Sequence, residues 1–224
     1  MDSVLSAVIK LGNDCGINKI ILFGSRARGD NTAKSDYDIA FVSPLINYDL
    51  KNNIKNNIEE LQTLHKIDPV FLKDLNGNDE LTKNIIKDGV VLMSKFKTKF
   101  NNLQNAVTRL EEAISDFNSL NKLSVRDGAI QRFEFTTELA WKTVREYLLE
   151  QGLVNINTPK AVMAEAFAAN IIDDERGWIG ILNDRNLTSH IYDENEADEI
   201  FNRIQSKYVG MFKELLVKLT EFQA

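Results

Sequence analysis

Residues 20–42 run IILFGSRARGDNTAKSDYDIAFV. The first apolar run, 20–23, has the length and apolarity of a buried strand, and it stops at Gly24-Ser25. After a polar, basic connection, Asp36-Tyr37-Asp38 opens a second such run, 39–42. Strand residues two apart point to the same face. Asp36 and Asp38 therefore project together, at the strand end nearest the Gly-Ser turn. Glycine lets backbone approach a phosphate closely, and a carboxylate pair beside it offers oxygens to a divalent metal. The fold must hold these two strands so that turn and pair meet.

The remaining composition narrows the class. At 224 residues the chain suits one large domain or two small ones. Cys15 is the single cysteine, so no internal disulfide forms, and a reducing, cytoplasmic setting is expected. No basic-then-apolar leader opens the chain and no apolar run approaches ~18 residues, so no membrane association is expected. Charge is uneven. Residues 1–97 carry 13 Lys+Arg against 13 Asp+Glu, and residues 98–224 carry 14 against 20, so the whole excess of acid lies in the second half. This argues against either half being a broad electrostatic platform for nucleic acid and leaves room for a local basic pocket.

Taken in order, residues 3–15 have helical apolar spacing with Gly16 as a stop. Strands are expected at 18–23, 36–42, 67–72 and 89–93, and helices at 48–64 and 78–88. Pro69 marks the third strand as an edge or an irregularity. Ser25 is expected to cap a short helix after the first strand. Beyond residue 95 the texture is helical throughout, with stretches at 98–121, 125–150, 158–169, 174–190 and 195–222. Thr158-Pro159 supplies a cap followed by a first-turn proline. The fold class is therefore α+β: a small mixed sheet with helices over 1–95, then an antiparallel all-α bundle over 98–224.

Nucleotidyl transfer requires a triphosphate held still, its charge neutralised and an acceptor oxygen activated. Asp36 and Asp38 offer two carboxylates for Mg²⁺. Asp68, opening the third strand, is a third if that strand lies beside the second. As the carboxylate outside the pair it is the candidate general base. Gly24 and Ser25 can meet phosphate, and Arg26, Arg28 and Lys34 are cations within reach of the same turn.

Gly24-Ser25, ten residues, then Asp36-x-Asp38 resembles the signature of the DNA polymerase β-like nucleotidyltransferase superfamily. The compact setting with GSRARGD is similar to its minimal nucleotidyltransferase branch. The resemblance implies ATP or another NTP as donor and two Mg²⁺ ions, and it covers residues 1 to about 95.

In the second half, Arg185-Asn186-Leu187-Thr188-Ser189-His190-Ile191-Tyr192 places Arg, Asn, His and Tyr within two helical turns. Arginine can hold a phosphate and histidine can move protons near neutral pH. The same residues also suit a plain polar helix end. The segment resembles the R-x4-H-x-Y motif of HEPN domains, and residues 131–142, QRFEFTTELAWK, are similar to the HEPN-like substrate-binding partner of minimal nucleotidyltransferases. In that family the two modules are usually separate proteins in toxin–antitoxin pairs; here they stand in one chain. The resemblance implies Arg185 and His190 as a ribonuclease pair at a homodimer interface. It makes Tyr192, of this chain or of a partner HEPN domain, the acceptor of AMP, whose phosphate would block RNA beside Arg185.

Three activities follow as expectations. The first is a metal-dependent adenylyltransferase acting on Tyr192. The second is a nucleotidyltransferase acting on a small molecule such as a cationic aminoglycoside, drawn by the acidic second half. The third is a HEPN ribonuclease regulated by the first domain. Trp141 and Trp178 are expected in the core.

Overall fold

The computed structural model describes residues 2–75, 77, 79–188 and 193–222. The chain divides into two compact units. One comprises the chain up to Lys95 together with Leu149–Val154, and the other Phe96–Leu148 with Asn155–Ala224.

In the first unit, α1 (Ser3–Asp14) leads into β1 (Lys19–Phe23), a short α2 (Gly24–Arg28) and β2 (Tyr37–Val42). Then follow α3 (Tyr48–Glu59), β3 (Ile67–Phe71), α4 (Glu80–Asp88) and β4 (Val90–Ser94). The sheet order is β3-β2-β1-β4. β1 is antiparallel to both its neighbours, while β2 and β3 are parallel. The mixed sheet is the one expected, and Pro69 does lie on an edge strand, where its missing N–H breaks no central ladder. Period-two alternation divides the apolar residues between two faces. Ile20, Leu22, Ile39 and Phe41 pack with Val8 and Ile54 on one face. Ile21, Phe23 and Ala40 pack with Ile85 on the other.

Three local expectations are corrected. The first helix after β1 begins at Gly24, with Phe23 as its N-cap residue and no side-chain cap bond, so Ser25 lies inside the helix instead of capping it. α3 ends at Glu59 and not at 64, and residues 60–66 form turns and bends into β3. The expected single helix at 195–222 is broken by a π-helical turn.

The second unit holds all but the terminal residues of the long helices α5 (Lys95–Leu120) and α6 (Leu123–Glu150). α7 (Pro159–Ala168) is capped by Thr158, whose Oγ1 accepts from Ala161 N. After α8 (Glu175–Thr188) come α9 (Glu194–Arg203), the π turn Ile204–Tyr208 and α10 (Val209–Glu221). A π turn inserts one residue and re-aims the side chains around it. Here Tyr208 is buried, stacks on Phe133 with ring centroids 5.6 Å apart, and donates from its hydroxyl to Asp184 Oδ2 at 2.6 Å. Arg203 donates to the same carboxylate at 2.7 and 3.1 Å. Trp178 lies in the core, as expected, while Trp141 is only half-buried. Among the described residues no helix is long and apolar enough to cross a membrane.

Candidate active site

The parallel register sets Asp38 directly against Asp68, and the antiparallel one sets Asp38 against Phe23, the residue before Gly24. The turn, the second aspartate of the pair and the third carboxylate are thus brought to one sheet end by pairing alone. Gly24 has φ +71°, and a Cβ built on it would fall 2.1 Å from Asp38 Oδ2. The Asp38 carboxylate therefore rests against the bare glycine backbone, in a cradle that any side chain would fill. Burial, with the charges of Asp68 and Asp36 beside it, holds the Asp38 carboxyl above the usual carboxylate range, against the opposing pull of Lys66 and Arg28. Half-buried negative charge of this kind is relieved by a cation.

Asp36 precedes β2, with its side chain 46% exposed. Its backbone is pinned. Arg26 Nε donates to the carbonyls of Ser35 and Asp36 at 3.1 Å each, and Nη2 to Ser35 at 2.7 Å. The same guanidinium lies 3.8 Å over the Tyr37 ring, whose hydroxyl donates to Asp2 at 2.5 Å. Arg26 is thus engaged in holding the loop into β2. Arg28, the last residue of α2, pairs with Asp30 at 3.1 Å, and Asp30 and Lys34 lie in the exposed connection to β2.

Lys66 was not foreseen. Its Nζ sits 2.6 Å from Asp68 Oδ2 and 4.0 Å from Asp36 Oδ2, and the hydrogen bond to Asp68 raises the pKa of its ammonium. The signal was in the spacing: Lys66 stands two residues before Asp68, hence on its face. Among the described residues no three His, Cys, Asp or Glu side chains converge into a ready metal cage. What stands at this sheet end is Asp38 with the charges of Asp68 and Asp36 near it, and Lys66 reaching both of those. That donor set fits a Mg²⁺ ion that keeps waters and takes phosphate oxygens, and not one held by protein alone.

The second cluster belongs to the helical unit. Arg185, on α8, donates from Nη2 to Glu138 Oε2 at 3.4 Å and from Nη1 to Asn186 Oδ1 at 3.3 Å. Glu138 also accepts from Trp141 Nε1 at 3.0 Å and pairs with Lys142 at 2.7 Å. Burial opposes ionisation there, yet the hydrogen bonds from Lys142 and Trp141 prevail and hold the Glu138 carboxyl below its ordinary range. His190 and Tyr192 lie outside the described residues. The structure brings Arg185 and Asn186 together, and adds Glu138 as a partner that sequence reading missed.

Residues 98–221 match the family described as nucleotidyltransferase substrate binding protein like. Residues 8–98 match polymerase beta, nucleotidyltransferase. A probable ribonuclease HepT of Haemophilus influenzae is 29% identical over 122 residues, spanning 48% of this chain and 83% of that protein. Among solved structures, the substrate binding domain of a nucleotidyltransferase from Haemophilus influenzae has a TM-score of 0.50 at 26% identity, covering 54% of this chain and 98% of its own. A toxin–antitoxin with AMP-PNP gives a TM-score of 0.31 at 24% identity over 41% of this chain and 73% of its own, too distant a likeness to argue from.

Proposed function

The chain belongs to the nucleotidyltransferase substrate binding protein-like family and carries a polymerase beta-type nucleotidyltransferase domain ahead of that region, and on this footing we propose that it is an NTP- and Mg²⁺-dependent adenylyltransferase. Its acceptor is Tyr192 of its own or a partner HEPN-like domain, in a toxin–antitoxin-like arrangement. The observation that carries the reading is the Asp38 carboxylate seated on Gly24 and registered against Asp68.

In this reading Asp36, Asp38 and Asp68 hold two Mg²⁺ ions, which when bound neutralise charge on the triphosphate. Gly24 and Ser25 admit phosphate to the start of α2, with Arg28 and Lys34 as nearby cations. Asp68 takes the tyrosine proton as the phenolic oxygen bonds to the α-phosphorus, and pyrophosphate leaves. Lys66 releases Asp68 for that step.

Incubation with α-labelled ATP and Mg²⁺ tests it. Label should appear on the protein, with an adenylyl mass on the peptide carrying Tyr192, and Asp38→Asn should abolish both. Absence of label from the chain and from any added HEPN partner overturns the reading.

Likeness to a protein named a probable ribonuclease favours a second activity. Arg185 and His190 would cleave RNA without metal, in a homodimer. RNA cleavage that persists in EDTA and is lost in His190→Ala supports it; no cleavage of any RNA ends it.

A further inference from the structure

We propose that Asp2 is a positioning residue for nucleotidyl transfer: through the Tyr37 hydroxyl it fixes the roll of β2, and with it the aim of the Asp36 and Asp38 carboxylates. The proposal rests on the transferase reading above and deepens it.

Tyr37 stands between the two aspartates. Successive strand side chains leave opposite faces. Tyr37 shares its face with Ile39 and Phe41, in the core that also holds Val4 and Val8, and Asp38 turns the other way. A rigid side chain at this position is a lever on both neighbours, because turning it about the strand axis turns both carboxylates. The ring is 2% exposed and is held at its sides. The Arg26 guanidinium lies over it at 3.8 Å, and the His65 ring meets it at 80°, with centroids 5.5 Å apart. The backbone is held too. Tyr37 N donates to the Lys66 carbonyl at 2.9 Å, and Arg26 takes the carbonyls of Ser35 and Asp36. These contacts set where the strand runs. The far end of the lever, which sets its roll, is tied by the bond from the Tyr37 hydroxyl to Asp2 Oδ2 at 2.5 Å.

A buried phenol needs an acceptor, and a carbonyl or a water would meet that need. Here the acceptor is a carboxylate with a second commitment. Asp2 is the N-cap of α1, and its Oδ1 accepts from Val4 N at 2.8 Å. That helix buries Val4 and Val8 in the same core as Tyr37, so the carboxylate is anchored to a packed element. The bond from Tyr37 holds the Asp2 carboxyl below the usual carboxylate range, as a charge-assisted bond does. A continuous link therefore runs from the start of α1 to the strand that carries the aspartates. Groups that orient metal ligands from behind change metal affinity by roughly ten- to a hundredfold when removed.

Calorimetric binding of α,β-methylene-ATP to the full chain, in Mn²⁺ and in EDTA, tests the link without turnover. Tyr37→Phe keeps the ring and removes the hydroxyl. Asp2→Ser keeps an oxygen to cap the helix but is too short to serve the phenol as well. Each should weaken binding in Mn²⁺ about tenfold and leave binding in EDTA unchanged. Both cut one link, so the double variant should be no weaker than either single one. Val8→Ala, which loosens α1 through packing alone, should lower stability in urea and leave the Mn²⁺ affinity as it was. Three results overturn the proposal and leave the transferase reading standing: single variants that bind as the wild type does in Mn²⁺, losses that multiply in the double variant, or an equal loss in EDTA or in Val8→Ala. A wild type that binds no analogue in Mn²⁺ overturns both.

Discussion

Gly24 and Asp38 behave as one part. The glycine is required twice, by φ +71° and by the carboxylate that occupies the space of its Cβ. Gly24→Ala should lower stability by about 1–3 kcal/mol in urea denaturation and suppress nucleotidyl transfer at least ~100-fold by displacing Asp38. Asp38 itself should separate stability from function. Its carboxyl is held high in the folded protein, first by burial and then by Asp68 and Asp36. The folded form thus keeps its proton to higher pH than the unfolded chain, so metal-free stability falls as pH rises from about 3.9 through the folded value. Asp38→Asn should then match the wild type below about pH 4 and be the more stable protein at pH 7 in EDTA, while losing transfer. A wild type more stable than the variant at pH 7 would show that the carboxylates do not oppose one another. Much of this was legible in the sequence, because Gly-Ser and Asp-x-Asp carry their geometry with them. The contacts of Arg26 were not. Its charge alone points to phosphate, and only the path of the loop shows that it also reaches the carbonyls of Ser35 and Asp36.

Among the elements, strands were the most legible. Apolar runs bounded by polar residues placed all four within a residue or two, and of the edge or irregularity that Pro69 indicated, the edge is what forms. The parallel pairing of β2 and β3, which sets Asp68 beside Asp38, was a condition the sequence could state but not decide, since register is a tertiary property. The π turn at Ile204–Tyr208 was invisible for a different reason. Apolar spacing continues through it, and what accompanies the break is a contact with the distant Asp184, which Tyr208 and Arg203 both reach. Burial and that hydrogen bond hold the Tyr208 hydroxyl well above an ordinary tyrosine. Tyr208→Phe should therefore cost about 1–2 kcal/mol, read by urea denaturation followed through indole fluorescence. A change within error would mean that stacking on Phe133 alone fixes the turn.

At the scale of the whole molecule, the two textures of the sequence correspond to two families of fold, yet the compact units do not follow the texture change alone. Residues 149–154 belong with the first unit, and nothing in their composition announces it. There Glu150 accepts from Ser94 at 2.8 Å and lies 3.8 Å from Lys19, with its side chain 7% exposed. Glu150→Ala should destabilise the first unit by about 1–3 kcal/mol through unmet polar partners, measured as faster amide exchange in β1 and β4. A fragment ending at residue 97 should exchange faster there too, and equal protection in the fragment would count against any role for 149–154. The order of synthesis gives this arrangement a further meaning. On the ribosome, the strands of the sheet emerge first, but their last contributor is made more than fifty residues after β4 ends. The first unit is not finished until most of α6 exists, so a ribosome stalled between the halves presents the sheet with every residue of the candidate site already made but without the segment that carries Glu150.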